Sequence, residues 1–185
     1  MERSATPPHR RVVYQAAFEA LLRGVQAESN PSLVRALAAA GYTAARPNRE
    51  YPTELLLRVL ELLADRCFPA MARDDAYEQL GRQAFQGYRA TLVGRVVMAA
   101  LHLASVPQAL QLAVRGFQSV TNYAVHEVLP VAPQHLIYRV HHLLIPPHYT
   151  LGLLKELLAG SGHKALTFRV DSAAAPAYVD FHVQW

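Results

Sequence analysis

Apolar positions recur mainly at helical spacing as far as Asn122 and strand-like runs begin after it, so the chain changes grammar near Tyr123. Val13, Ala17, Phe18, Leu21, Leu22 and Val25 predict a first helix over residues 12–25. Asn30-Pro31 opens a second, with asparagine as N-cap and proline at the first helical position, and Gly41 closes it. Residues 42–50 have no period and hold Pro47 and Asn48, which predicts a loop. Tyr51-Pro52-Thr53-Glu54 starts a third helix rich in leucine, and Pro69 stops it. Asp74-Asp75 marks a fourth start, where acids suit the helix dipole. Gly81 and Gly87 within that helix predict close packing or a break near Gly87. Residues 88–103 are apolar nearly all round and predict the central buried helix. Ser105-Val106-Pro107-Gln108 fits a capping box and opens a sixth helix that ends near Thr121-Asn122.

Beyond that point, residues 123–129 and 134–142 are rich in valine, isoleucine, leucine and tyrosine, with the turn Pro130-Val131-Ala132-Pro133 between them. Pro146-Pro147 begins a leucine-rich helix closed by Gly160-Ser161-Gly162. Leu166, Phe168 and Val170 alternate, as do Val179, Phe181 and Val183, and Ala173-Ala174-Ala175-Pro176 joins these two strands. The expected fold class is α+β: a six-helix N-terminal part packed on a small four-stranded antiparallel sheet with one intervening helix. Residues 1–10 read as a flexible tail and 11–185 as one domain, divided into a helical part (11–122) and a strand-strand-helix-strand-strand part (123–185).

Composition narrows the function classes. A chain of 185 residues with 52% hydrophobic and 17% charged residues has the make-up of a folded domain rather than a disordered segment. Its net charge of +4 is spread thinly, with no basic stripe on a reading element, so nucleic acid is not an expected partner. The most apolar window, 90–104, is broken by Arg95 and His102 and is too short for a membrane span, and the N-terminus lacks the apolar core of a signal peptide. A soluble cytoplasmic protein is expected. Cys67 is the single cysteine, follows an apolar run and reads as a buried structural thiol.

Candidate chemistry is thin. There is no G-x-S-x-G, phosphate loop, H-E-x-x-H or C-x-x-C, so neither catalysis nor a metal site is expected. His141, His182 and Asp180 form a conceivable polar cluster if their strands are neighbours; the alternative is the solvated face of a one-sided sheet. Arg82, Arg89 and Arg95 lie on otherwise apolar helices and must find an internal acid, reach water, or meet a bound anion. The last option makes Arg82 and Arg95 polar anchors of a pocket lined by Tyr88, Tyr123 and Tyr138.

Two resemblances follow from specific residues. The segments 18–24 (FEALLRG), Tyr51-Pro52, Leu80-Gly81-Arg82 with Phe85, Gly87-Tyr88 and Thr91, Gly94-Arg95, Pro107 to Leu110, Phe117 to Tyr123, and Gly152-Leu153-Leu154 resemble a family of uncharacterised proteins largely restricted to myxobacteria. That resemblance covers nearly the whole chain and implies no known activity. The order of elements, ending in Trp185, is similar to the heme nitric-oxide/oxygen-binding domain. Its members carry a proximal histidine on the helix before the sheet and Tyr-x-Ser-x-Arg on the second strand. Here residues 108–121 contain no histidine, and the strand reads Tyr138-Arg139-Val140-His141-His142, so the scaffold is expected without the cofactor. The expected function is a non-enzymatic small-ligand-binding or sensory module with an apolar pocket between helices and sheet, taking a small apolar or anionic ligand. The alternative is a protein–protein interaction scaffold with no ligand.

Overall fold

The computed structural model describes residues 11–163, 166–171 and 177–185; the expected tail and the loop at Ala173–Pro176 lie outside them. The order is β1 (Val12–Tyr14), α1 (Gln15–Gly24), a short 3-10 turn (Ala27–Ser29), α2 (Pro31–Ala39), β2 (Glu50–Pro52), α3 (Thr53–Cys67), α4 (Arg73–Arg89), α5 (Leu92–Leu101), α6 (Val106–Gln118), β3 (Val125–Ala132), β4 (His135–His141), α7 (Pro147–Gly160), β5 (Thr167–Asp171) and β6 (Tyr178–Gln184). The expected α+β class with a four-stranded antiparallel sheet is borne out, with strand order β3-β4-β6-β5.

Local signals act where the sequence placed them. Asn30 Oδ1 accepts from the backbone N–H groups of Ser32 and Leu33, both at 3.1 Å, and α2 begins there. Gln108 Oε1 accepts from the Ser105 backbone N–H at 2.9 Å and starts α6. Gly41, at φ +101°, stops α2.

Three expectations are corrected. Residues 12–14 are not helical; they pair antiparallel with Glu50–Pro52, so part of the expected loop at 42–50 is also a strand. Pro130 and Ala132 extend β3 and pair with Leu136 and His135 across a bulge, so the turn is shorter than the two prolines implied. The third correction is the largest. Tyr88 lies in the last turn of α4 rather than opening the next helix, and α5 is not the buried centre of the molecule. Only Gly94, Met98 and Leu101 of α5 are buried, while Leu92, Val93 and Val96 are exposed.

The central elements are instead α4 and α7. One core gathers Phe18, Leu21, Tyr51, Val59, Leu60, Leu63, Leu80 and Tyr123. The other gathers Phe85, Leu101, Leu110, Tyr138, Leu154, Leu158 and Phe181 on the inner face of the sheet. Helix α4 gives Leu80 to the first and Phe85 to the second; α7 gives Tyr149 to the first and Leu154 to the second. Their contact is backbone against backbone. A Cβ at Gly81 would sit 2.0 Å from the Tyr149 carbonyl oxygen, and one at Gly152 would sit 2.0 Å from that of Glu78. The sequence expectation of close packing at Gly81 is thereby explained.

Candidate functional site: the inner face of the sheet

Alternation along β4 turns Leu136, Tyr138 and Val140 inward and His135, Ile137, Arg139 and His141 outward. On β3 the inward set includes His126 and Val128. His126 stands opposite Val140 and Val128 opposite Tyr138, so His126 and Tyr138 are diagonal neighbours on the buried face. Tyr138 Oη and His126 Nδ1 lie 2.9 Å apart and share a hydrogen bond. Helix α6 covers the pair with Phe117, whose ring meets Tyr138 edge-on at 6.3 Å and lies 5.8 Å from the imidazole. Gln118 Nε2 donates to the His126 carbonyl oxygen at 3.4 Å, and Phe181 closes the other side of Tyr138 at 6.5 Å.

Burial controls the protonation of this pair. It pushes the His126 imidazole down to about 4 and raises the Tyr138 phenol well above its usual value. Both groups are therefore neutral at pH 7. His126 did not stand out in the sequence. The available signal was its shared alternation with Val128, which places it on the core side of a strand that continues to Ala132.

The residues picked from the sequence do not gather in one pocket. Tyr138 is fully buried in the sheet core and Tyr123 is buried in the other core. Tyr88 is half-buried at the end of α4 beside Phe85. Arg82 takes the internal ion pair: its Nη2 lies 3.0 Å from Glu78 and its Nη1 3.9 Å from Glu156 on α7. Arg89 meets Glu156 at 3.4 Å and Lys155 meets Glu78 at 2.7 Å, so the network ties α4 to α7. Burial alone would raise the Glu78 carboxyl, but hydrogen bonds from Lys155 and Arg82 outweigh it and leave it below its usual range. Arg95 is exposed on α5, which corrects the expectation of a charge inside a buried helix. With these arginines satisfied by acids or at the surface, an anion anchor loses its basis.

The conceivable cluster of His141, His182 and Asp180 is also divided. Asp180 makes a two-point pair with Arg139, both hydrogen bonds at 2.7 Å. His141 Nε2 lies 2.7 Å from Glu127. His182 bonds His135 and Arg169, each at 3.0 Å. Arginine only donates, so His182 Nε2 accepts, and its proton on Nδ1 is given to His135 Nε2. Among the described residues no group of three or more metal-ligating side chains is arranged to hold an ion. A separate cleft of about 430 Å3 lies between α1, the 3-10 turn and α2, lined in part by Glu19, Arg23, Glu28 and Tyr42, far in the chain from the sheet. There the Tyr42 phenol is pushed up to about 12 by burial first, then by Tyr51, Glu19 and Glu28.

Residues 11–185 match the model of a family described as a protein of unknown function, DUF2378. The chain belongs to the DUF2378 family. No curated protein matches it. Among solved structures, this DUF2378 chain is similar to one concerned with heme redox potential and protein-induced porphyrin distortion, at 10% identity and a TM-score of 0.69, covering 93% of this chain and 99% of that one. It is similar to an H-NOX protein from S. oneidensis in the Fe(II)NO ligation state, at 14% identity and a TM-score of 0.68, covering 91% and 97%. An oxygen-binding H-NOX domain related to soluble guanylate cyclases aligns at 11% identity and a TM-score of 0.62, covering 91% and 90%. The fold is thus H-NOX-like, as the order of elements implied. Among the described residues no helix is long and apolar enough to cross a membrane.

Heme does not fit the residues present. The helix before the sheet, α6, carries no histidine to serve as an iron ligand, and the Tyr138 hydroxyl is engaged by His126. The serine position of the strand signature is Val140, fully buried in the sheet core, and the arginine position is His142, beyond the end of β4 at φ +55°. Phe117, Tyr138, Leu154 and Phe181 pack together in the same layer.

Proposed function

We propose that this DUF2378 chain is a non-enzymatic sensory or regulatory module of the cytoplasm that uses an H-NOX-like scaffold without heme. The observation that supports this reading is the His126–Tyr138 pair, one neutral imidazole and one neutral phenol set into apolar walls at the junction of α6 and the sheet. A few placed polar atoms in apolar surroundings are the make-up of a small-ligand site. The matching ligand is small and apolar with a single hydrogen-bonding atom; it enters by displacing Phe117 and takes over one half of the His126–Tyr138 bond. Nucleic acid and membrane are not partners in this reading.

A second reading, a protein–protein interaction scaffold with no ligand, is favoured by the complete burial of Tyr138 and Phe181, which leaves the sheet face already filled. Native mass spectrometry of freshly purified protein separates the two. A retained small molecule that is lost from a Phe117→Trp variant supports the ligand reading; a bare chain that takes up no ligand from a panel of small apolar compounds assigns the scaffold. Addition of heme is expected to give no Soret band, and a stoichiometric band abolished in Tyr138→Phe would overturn the heme-free reading.

A further inference from the structure

Helix α5 turns apolar side chains to solvent along one stripe. Leu92 is 71% exposed, Val93 64%, Val96 66% and Leu103, just past the helix end, 91%. Residues 92, 96, 99 and 103 follow steps of four, three and four, so Leu92, Val96, Ala99 and Leu103 share one face while Met98 and Leu101 hold the helix to the core. Thr91 caps the start, its Oγ1 accepting from the Gly94 N–H at 2.9 Å, so the exposed helix is a formed element rather than a frayed one.

We propose that this face pairs with the same face of a second copy of the chain, as an antiparallel two-fold dimer. Charge argues for a like surface. Helix α5 carries Arg95 and no carboxylate, so it offers nothing to steer a strongly basic partner and only one cation to an acidic one. The residues ahead of Arg11, MERSATPPHR, are polar with two prolines and do not complement an apolar stripe.

Register argues for the antiparallel arrangement. A two-fold axis near residues 97 and 98 sets Leu92 against Leu103 and Val96 against Ala99, so large meets large at the rim and large meets small at the centre. The same axis places Arg95 opposite Ala100, toward the C-terminal end of the facing helix, where the dipole favours a cation. A parallel pair would instead bring Arg95 onto Arg95. Area bounds the contact: Leu92, Val96, Ala99 and Leu103 present on the order of 500 Å2 on one copy and about 1,000 Å2 in a pair, the low edge of specific interfaces. An interface this small predicts a weak, reversible dimer.

The test is sedimentation equilibrium of the full chain over a concentration series up to about 100 μM, the range in which weak dimers form. The wild-type protein is expected to move from monomer to dimer, and Val96→Glu is expected to stay monomeric with an unchanged far-UV spectrum. A Leu92→Cys/Leu103→Cys pair in a Cys67→Ser background is expected to give a covalent dimer on oxidation, since the two positions face each other only across the antiparallel axis. A wild-type monomer at every concentration would overturn the proposal, as would a dimer that survives Val96→Glu. So would a monomer that sediments with phosphatidylglycerol vesicles through Leu92 and Leu103, since that assigns the face to a lipid surface. None of these readouts depends on the ligand at His126 and Tyr138, so the two proposals fail separately.

Discussion

The two faces of the four-stranded sheet use histidine, tyrosine and hydrogen bonds in opposite settings. On the inner face His126 and Tyr138 share one bond among Phe117, Val140 and Phe181, away from water. On the outer face, Arg139 grips Asp180 and lies 3.7 Å over the Tyr178 ring, His141 meets Glu127, and His182 bridges Arg169 and His135. The inner histidine is neutral because burial disfavours its charge. The outer His182 is also pushed down, by partial burial and then by Arg169 and His135, but it is half-open to solvent. The same residue type is thus an internal structural element on one side and a screened surface group on the other, and the energetic stakes differ accordingly.

The sharpest break of that comparison is Phe181→Ala, which removes a fully buried ring from the inner face; a loss of about 3–5 kcal/mol in urea unfolding is expected. Next comes the proton linkage of His126. Its folded pKa lies near 4 against 6.5 for the free group, so between those values the unfolded chain binds more protons. The native state's full stability holds above pH 6.5 and is lost as pH falls toward 4, by about 3 kcal/mol from this one residue. Carboxylates add their own acid losses, so the measurement is a difference: His126→Gln should lose about 2–3 kcal/mol less than wild type between pH 7 and 4. Equal losses in both would remove His126 from the account. Tyr138→Phe keeps the ring but strips the partner from a buried imidazole, and should cost about 1–3 kcal/mol at neutral pH. Asp180→Asn on the outer face weakens a two-point pair between a buried Asp180 and a partly exposed Arg139, for about 1 kcal/mol, and that loss should be more salt-sensitive than the inner-face losses.

Much of the fold was legible because local chemistry decided it. The Asn30 cap, the Ser105-Gln108 box, the proline at the start of α7 and the strand alternation at Val179, Phe181 and Val183 act over a few residues. Two failures have a common cause. Strands β1 and β2 hold three residues each and exist only because residues 38 positions apart meet, as Val13 and Tyr51 do, and no local pattern records that meeting. The apolar content of α5 suggests burial, but it says what gains from cover and not what supplies it. The site was less legible than the fold. Arg82 and Arg89 stand out in apolar runs, yet their partners Glu78 and Glu156 lie on the same helix and on one 67 to 74 residues downstream. His126 belongs to no motif on its strand, and its meaning depends on a diagonal neighbour across the hairpin.

The reciprocal glycine contacts of α4 and α7 have a mechanical consequence. With Gly81 under the Tyr149 carbonyl and Gly152 under that of Glu78, neither helix can slide along the other before backbone strikes backbone. The charged network of Glu78, Arg82, Lys155 and Glu156 fastens the same seam from its rim. The two helices therefore act as one stiff beam with a core at each end. A tilt imposed at Leu80 and Tyr149 arrives at Phe85 and Leu154 as the same tilt, undamped by slippage between them.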